Sequence, residues 1–336
     1  MVSTAVVFGA RGFIGRQVTA ALGAAGWRCV GVDRYGRTTG GSGEVEGPYY
    51  AGNDWSSVAL GRFLRRCGPV VVVNAVGASW STDPSVVRRD NVIWPCRLAQ
   101  ACEAAGTPVS VVHIGSSHEY GDTAPGVPVV ERSALAPVTA YGRSKAAGAS
   151  HLVRAAFRSG RPLTLVRAFN VIGPGHGSQG IWAKAVGLYR AAAQTGAPLV
   201  VAEVPLPGTA RDLIDVRDVA ALVCLAAAHP GPPVAVYNAA SGTATTMRQL
   251  FDAFVDQTRI PYRFAGNAAR LRTGPTWQCA DVERARAHLG WARRFTLADS
   301  IAAALALDEA ARAEAVRAAL SRRGRTTPSP WKRGNP

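Results

Sequence analysis

The sequence predicts an α/β fold: a doubly wound, mostly parallel sheet covered by helices, with a smaller C-terminal α/β substrate-binding domain. Three observations predict it. Short β-branched runs alternate with stretches of helical periodicity through the first half of the 336 residues, the pattern that parallel strands joined by crossover helices require. The first run ends in a glycine-rich turn that leads straight into a helical stretch. Beyond about residue 170 the alternation loosens into Gly- and Pro-rich loops such as Gly173-Pro174-Gly175-His176-Gly177, where the chain is expected to pass back and forth between the sheet and a second unit.

In chain order, strands are expected at Thr4–Phe8, Arg28–Val32, Val70–Ala75, Val109–Ile114 and Leu163–Arg167, with Val234–Asn238 as a late strand of the same sheet. Helical stretches fall near 13–25, 54–66, 84–105 and 138–159. Pro84 and Pro137 stand where helices are expected to begin, since a first-turn proline loses no helical hydrogen bond. The last strong helical pattern, about 297–320, is alanine-rich and amphipathic. These spans assign residues 1–172 plus about 214–240 to the sheet domain, and about 173–213 and 241–320 to the smaller one. Residues 321–336, which carry Arg322-Arg323-Gly324-Arg325 among Pro, Ser and Thr, are expected to form a disordered basic tail.

Composition narrows the function classes. Hydrophobic residues make up 48% and charged residues 18% of the chain, enough apolar material for an ordinary packed core. No apolar run approaches the roughly 18 residues of a membrane helix. Ala5-Val6-Val7-Phe8 runs into the glycine turn without a basic leader, so a cytoplasmic enzyme is expected. Cys29, Cys67, Cys96, Cys102, Cys224 and Cys279 include no CxxC pair, which fits reduced thiols and predicts no metal site. The net charge of +16 is almost wholly arginine, the only lysines being Lys145, Lys184 and Lys332. The arginines are scattered and their densest cluster lies in the tail, so a solvated basic surface or an anionic substrate is expected rather than nucleic acid.

The turn Gly9-Ala10-Arg11-Gly12-Phe13-Ile14-Gly15 is a GxxGxxG pattern between a strand and a helix. Glycines are needed where the backbone turns tightly and where a pyrophosphate approaches the helix N-terminus. This context predicts a Rossmann dinucleotide site in which Gly9, Arg11, Gly12, Phe13, Ile14 and Gly15 line the cofactor. Asp33 ends the second strand eighteen residues after Gly15, where a carboxylate accepts hydrogen bonds from the adenosine ribose. That favours NAD. NADP stays open, because Arg34 and Arg11 could together hold a 2′-phosphate. Asp54, after a short third strand, is expected either to contact the adenine or to cap the next helix.

Tyr141 and Lys145 are spaced i, i+4 and share one helix face. A free phenol titrates near pH 10, and a nearby ammonium and the positive nicotinamide ring are expected to draw it towards the working range. The preceding strand ends in Ile114-Gly115-Ser116-Ser117-His118-Glu119-Tyr120-Gly121, placing the Ser116 hydroxyl where it can orient a substrate oxygen.

In this order, GxxGxxG, Asn74-Ala75-Val76-Gly77, the Ser-Ser-x-x-Tyr-Gly motif and YxxxK resemble the extended short-chain dehydrogenase/reductases, the NAD-dependent epimerase/dehydratase family. The resemblance continues through Arg167-Ala168-Phe169-Asn170-Val171-Ile172-Gly173-Pro174-Gly175, Ala210-Arg211-Asp212-Leu213-Ile214-Asp215-Val216-Arg217-Asp218-Val219 and Tyr237-Asn238-Ala239-Ala240-Ser241-Gly242. It implies Ser116, Tyr141 and Lys145 as the catalytic triad and Ala75, with Tyr141 and Lys145, beside the cofactor. It further implies a nucleotide diphosphate-sugar substrate touching Ser117, His118, Asn170 and Arg211, helped by Arg272 or Arg270. Asn91 matches a position often asparagine in the family. A homodimer through the helices near 84–105 and 138–159 is also implied.

Within the family the motifs are most similar to those of GDP-4-keto-6-deoxymannose reductases and their 4,6-dehydratase relatives. Dehydratases of this kind place an acid where this chain has His118, and Glu119 is one position off. The leading expectation is therefore an NAD(P)-dependent reductase of a nucleotide diphosphate 4-keto-6-deoxyhexose, acting at C4. The alternatives are a 4-epimerase or a 4,6-dehydratase with tightly bound NAD. A non-catalytic dinucleotide sensor is the remote one, disfavoured because Ser116, Tyr141 and Lys145 are all present.

Overall fold

A computed structural model describes residues 2–33, 38–39, 56–79, 81–175, 180–196, 198–205, 208–271 and 275–306. The chain runs β1 (Thr4–Phe8), α1 (Phe13–Ala24), β2 (Arg28–Val32), a short β3 (Thr38–Thr39), α2 (Ser57–Cys67), β4 (Val71–Asn74) and α3 (Pro84–Arg88). A π-helical turn (Arg89–Ile93) then leads into α4 (Trp94–Ala105), β5 (Ser110–Ser116), a 3₁₀ turn (Ser117–Glu119), α5 (Ala140–Ser159) and β6 (Leu163–Ala168). The second half comprises β7 (Asn170–Ile172), α6 (Gly180–Thr195), β8 (Leu199–Pro205), β9 (Ala210–Asp215), α7 (Val216–Ala228), β10 (Val234–Ala239), β11 (Ala244–Thr246), α8 (Met247–Thr258), β12 (Tyr262–Leu271) and α9 (Glu283–Leu289).

Seven strands form the main sheet in the order β10-β6-β5-β4-β1-β2-β3. Every pairing is parallel except the one between β2 and β3. Because parallel strands are buried on both faces, β1, β4 and β6 are buried along their whole length rather than alternately. One face packs on α1 and α7, the other on α2, α4 and α5. Strand order reverses between β1 and β4, so the C-terminal ends of β1, β4 and β5 open side by side where a doubly wound sheet takes its ligand.

A smaller core gathers Ile172, α6, β8, Leu213, α8 and the helix over 297–306. We propose that the two domains follow these cores. Ala280, Ala285 and Trp291, placed by the sequence in the smaller domain, pack in the core of the large sheet. The tie is polar as well as apolar: the Asp218 carboxylate on α7 accepts from the Arg294 and Phe295 amides (2.9 and 3.1 Å), and its carbonyl from Trp291 Nε1 (3.1 Å).

Local chemistry explains where elements differ from expectation. Pro84 does open α3, behind the Asp83 carboxylate, which accepts from the Ser85 amide. Pro137 opens no helix; α5 begins at Ala140 because Thr139, in extended backbone, accepts from the Gly142 amide and supplies the cap. The helix expected over 84–105 is interrupted by the π-helical turn, where α5 comes so close that a side chain at Gly148 would strike the Asn91 carbonyl. Residues 307–320 of the expected last helix and the tail lie outside the described residues.

The loop between β10 and β11 and the segment around Ala280 meet at Asp212 on β9. It is fully buried, and its carboxylate accepts from the Ser241 amide (2.6 Å), the Ser241 hydroxyl (2.7 Å), the Gly242 amide (3.0 Å) and the Ala280 amide (3.2 Å). Asp212→Ala would leave the buried Ala280 amide and the part-buried Ser241 and Gly242 amides without their acceptor, and is expected to cost about 2–3 kcal/mol of stability. Urea unfolding measures this, and a loss below about 1 kcal/mol would mean the carboxylate does not organise this junction.

Candidate active site

The cofactor end starts where β1 stops. Gly9 turns at φ +80°, and a Cβ there would lie 2.8 Å from the Ala75 carbonyl oxygen. Its amide donates to the Val32 carbonyl (2.8 Å) and the Gly12 amide donates to the Gly9 carbonyl (2.8 Å), closing the turn between β1 and β2. A side chain at Gly15 would run into the Gly9 carbonyl, so α1 can pack on the turn only with glycine there. Helix α1 has Gly12 at its N-cap, no side-chain cap and no acid in its first turn. Phe13, Ile14 and Gly15 thus supply a first turn whose amides and dipole suit an anion. Asp33, just past β2, is buried, with Arg11 at 3.4 Å; the side chains are 4% and 56% exposed. This arrangement fits the adenosine and pyrophosphate of a dinucleotide. Arg11 is paired with the carboxylate. Arg34, Asp54 and Arg272 lie outside the described residues, as does the side chain of Arg270.

The reacting end is built at the tip of β5. The Ser116 amide donates to Glu119 Oε1 (2.8 Å) and the Ser116 hydroxyl accepts from the His118 amide (3.2 Å), a capping box that fixes the 3₁₀ turn. Gly115 leaves room for this carboxylate, since a Cβ would stand 2.7 Å from Glu119 Oε1. Glu119 is fully buried, and its second oxygen accepts from Arg167 Nε on β6 (3.2 Å). Arg167 also donates to the Tyr120 hydroxyl (2.9 Å) and the Glu131 carbonyl (3.1 Å), and Tyr120 donates to Asn238 on β10 (2.7 Å). Glu119 is therefore a buried brace, out of a substrate's reach.

Tyr141 stands in the first turn of α5, its phenol hydrogen-bonded to the Ser116 hydroxyl. Burial pushes its pKa up to about 12, the Ser116 bond working against the rise and the Glu119 charge adding to it. Desolvation dominates at Tyr141, and the Lys145 ammonium is engaged with the Ile114 carbonyl (2.6 Å). Lys145 is itself buried, which lowers its pKa to about 8 against the opposing pull of Glu119.

His118 packs edge-on against Tyr141, ring centroids 5.4 Å apart, with Nδ1 at 3.4 Å from the Thr139 hydroxyl. Burial and then the nearby Arg211 charge lower its pKa to about 4. Arg211 donates to the Ala210 and Thr276 carbonyls (3.1 and 3.0 Å), and burial brings its own pKa down to about 10. Asn170 lies on β7, directly beside β9, and donates to the Asp212 carbonyl (3.2 Å). Ser117 is differently employed: it is buried, its hydroxyl donates to Gln278 Oε1 (3.2 Å), and Gln278 Nε2 returns a bond to its carbonyl (3.0 Å). The structure thus gathers Ser116, Tyr141, Lys145, His118 and Arg211, while Ser117 joins the packing beneath.

Sequence reasoning missed several supports. Thr139 carries a legible signal, a capping residue just ahead of the helical run. Asn91 proves to be a clamp: Oδ1 accepts from the Ala78 amide (2.9 Å), and Nδ2 donates to the Ala78 carbonyl (3.1 Å) and the Ser144 hydroxyl (2.9 Å). Ser144 in turn donates to the Tyr141 carbonyl (2.7 Å), so the loop after β4 is tied to the first turn of α5. The pairing of Glu119 with Arg167 and of Ser117 with Gln278 has no local signal. Among the described residues no cluster of His, Cys, Asp and Glu could hold a metal ion, and no helix is long and apolar enough to cross a membrane.

Comparison with known proteins agrees with this geometry. The model of the NAD dependent epimerase/dehydratase family matches residues 5–240. The chain is 33% identical over 302 residues to dTDP-6-deoxy-L-talose 4-dehydrogenase (NAD(P)(+)) of Kitasatospora kifunensis, covering 88% of this chain and 92% of that one. It is 27% identical over 309 residues to GDP-6-deoxy-D-mannose reductase of Pseudomonas aeruginosa, covering 89% and 95%. Among solved structures, MoeE5 in complex with UDP-glucuronic acid and NAD superposes with a TM-score of 0.75 at 25% identity, over 92% of this chain and all of that one.

Two outcomes are expected from the electrostatics. The Lys145 ammonium titrates at about 8 when folded, against an ordinary 10.5, so only the unfolded chain gains a proton as pH falls through that window. The folded state loses stability from pH 10.5 down to 8, and the loss is constant below 8. Lys145→Met should remove it, raising stability by up to roughly 3 kcal/mol at pH 7 and by progressively less towards pH 10.5. Urea unfolding at pH 7 and pH 10 checks this, and an effect identical at both would count against the buried charge. Separately, Asp33→Ala should shift the ratio of NADH to NADPH affinity by about tenfold towards NADPH, read by fluorescence titration. An unchanged ratio would remove Asp33 from the ribose site.

Proposed function

Because the chain belongs to the NAD dependent epimerase/dehydratase family, we propose that this NAD(P)-dependent nucleotide-sugar enzyme reduces a nucleotide diphosphate 4-keto-6-deoxyhexose at C4. The observation that carries the reading is the placement of Tyr141, in the first turn of α5, hydrogen-bonded to the Ser116 hydroxyl and one helical turn from Lys145. A phenol titrates near pH 10 and burial raises Tyr141 further, so it is a loaded proton donor at neutral pH. Reduction of a ketone needs just that: a proton delivered to the oxygen as C4 becomes tetrahedral. The bound dinucleotide supplies the hydride.

This chain's residues divide the remaining work. The Ser116 hydroxyl and the Tyr141 phenol converge on one substrate oxygen and polarise the carbonyl. Tyr141 then gives up its proton, and the phenolate it becomes is stabilised by the Lys145 ammonium on the next turn of α5. Arg211, cationic at neutral pH with its pKa at about 10, pairs with Asn170 to hold the diphosphate, its planar fork suiting phosphate oxygens.

Elimination across C5 and C6 would need an acid–base group beside this site. Glu119 is committed to Ser116 and Arg167, and His118, with its pKa at about 4, is a neutral and weak base. Both features favour reduction over dehydration. The names of the two relatives describe oxidoreductases of 6-deoxyhexoses, one of them at position 4.

The test supplies dTDP- and GDP-linked 4-keto-6-deoxyhexoses with NADH or NADPH and follows the reduced nicotinamide and the sugar product. One cofactor consumed per sugar reduced is expected, and Tyr141→Phe should lower kcat by about a thousandfold with cofactor affinity nearly unchanged. Interconversion of C4 epimers of a nucleotide-hexose with no net cofactor consumption would replace this reading with a 4-epimerase.

A further inference from the structure

We propose that His113 is a positioning residue for Lys145, its Nε2–H donating to a buried water that the Lys145 ammonium also bonds. The inference rests on Tyr141 and Lys145 being the proton-handling pair. It starts from the alternation of β5. Val112 and Ile114 point into the core on the α1 and α7 face, so Val111 and His113 point to the face covered by α4 and α5. Lys145 comes down from α5 on that same face and bonds the carbonyl of Ile114, the very next residue.

The tautomer of His113 follows from its neighbours. Asn74 lies opposite it in the β4–β5 register. The Asn74 Oδ1 accepts from Trp94 Nε1 (3.0 Å) and from the Val76 amide (3.2 Å), two groups that can only donate. The Asn74 amide nitrogen must therefore face His113 Nδ1, at 2.9 Å, and Nδ1 must be the unprotonated acceptor. The ring proton sits on Nε2. His113 is 1% exposed, buried against bulk solvent, and this Nε2–H has no acceptor among the described residues.

A buried donor without a partner is unfavourable, and an apolar side chain on β5 would avoid that cost. The donor makes sense if something accepts from it. Lys145 cannot, because an ammonium only donates. It is nonetheless near enough that its charge adds to burial in lowering the His113 pKa. One water satisfies both, accepting from Nε2–H and from a second N–H of Lys145. The ammonium is then held at two points, by the Ile114 carbonyl and by the chain Trp94–Asn74–His113, and its third N–H is left for the cofactor, beside which the family resemblance places Lys145. Among the described residues the charged and titratable groups around Lys145 are Glu119, Tyr141 and His113, and the charge acting on His113 is that of Lys145.

The test is a double-mutant cycle on reduced-cofactor affinity, read by nicotinamide fluorescence. His113→Leu should weaken binding by about fivefold in the parent chain and leave it unchanged in the Lys145→Met background. His113→Gln carries an amide N–H near the position of Nε2 and should restore the parent affinity, whereas His113→Asn keeps only the inner position and should behave like His113→Leu. Melting temperatures confirm that each variant is folded. Equal weakening in both backgrounds, or rescue by Asn rather than Gln, would overturn the proposal. If Lys145→Met alone left cofactor affinity untouched, the role given to Lys145 would fail instead.

Discussion

The buried ion pair between Glu119 and Arg167 is the interaction on which the reacting end depends. It joins the tip of β5 to β6, and through Tyr120 and Asn238 it reaches β10. Two charges taken out of water are costly, and such a pair is weak evidence for stability. Here both partners are further hydrogen-bonded: Glu119 takes the Ser116 amide, and Arg167 donates to a phenol and a backbone carbonyl. What the pair secures is position. The serine hydroxyl that meets Tyr141 is hung from a backbone amide held by that carboxylate, and Gly115 is the vacancy that lets the carboxylate in.

Around that brace, the proposed catalytic groups come from element ends whose geometry is set elsewhere. Ser116 ends a central strand; Tyr141 and Lys145 belong to the first two turns of a helix started by the Thr139 cap. The Asn91 clamp ties this helix to the loop after β4, and so the reacting end to the cofactor end. A rigid parallel sheet converts these local anchors into a fixed constellation. The low dielectric of its edge then sets the charges: a phenol held neutral and an ammonium whose pKa lies near the working range.

What was legible in the sequence was what is local. The GxxGxxG turn, the apolar strands, the i, i+4 pairing of Tyr141 with Lys145 and the acid after β2 are each decided within a few residues, and the chain shows each of them. What was not legible depends on partners far away. Ser117 reads as a site residue until Gln278, from late in the chain, takes its hydroxyl. Glu119 reads as a misplaced catalytic acid until Arg167 claims it. The upward shift of Tyr141 arises from burial that no window of sequence contains, and the π-helical turn from the approach of Gly148 in another helix. Pro137 misled for a simpler reason, because Thr139 offered the orphan amides of α5 a better cap.

Position 118 shows how one side chain can separate two reactions on a shared triad. A carboxylate there would lie beside the phenol and, with a base's affinity for protons, could take part in elimination once C4 is oxidised. An imidazole in the same place has its protonated form penalised twice, by burial and by the Arg211 cation. It is left as a neutral ring against Tyr141, able to shape the pocket and to offer a hydrogen bond, but with little capacity to carry a proton. The same arginine that is proposed to hold the substrate's diphosphate thus adds to burial in keeping the His118 ring neutral, leaving the phenol as the proton source. On that reading, substrate affinity and the choice of reaction are coupled through a single guanidinium.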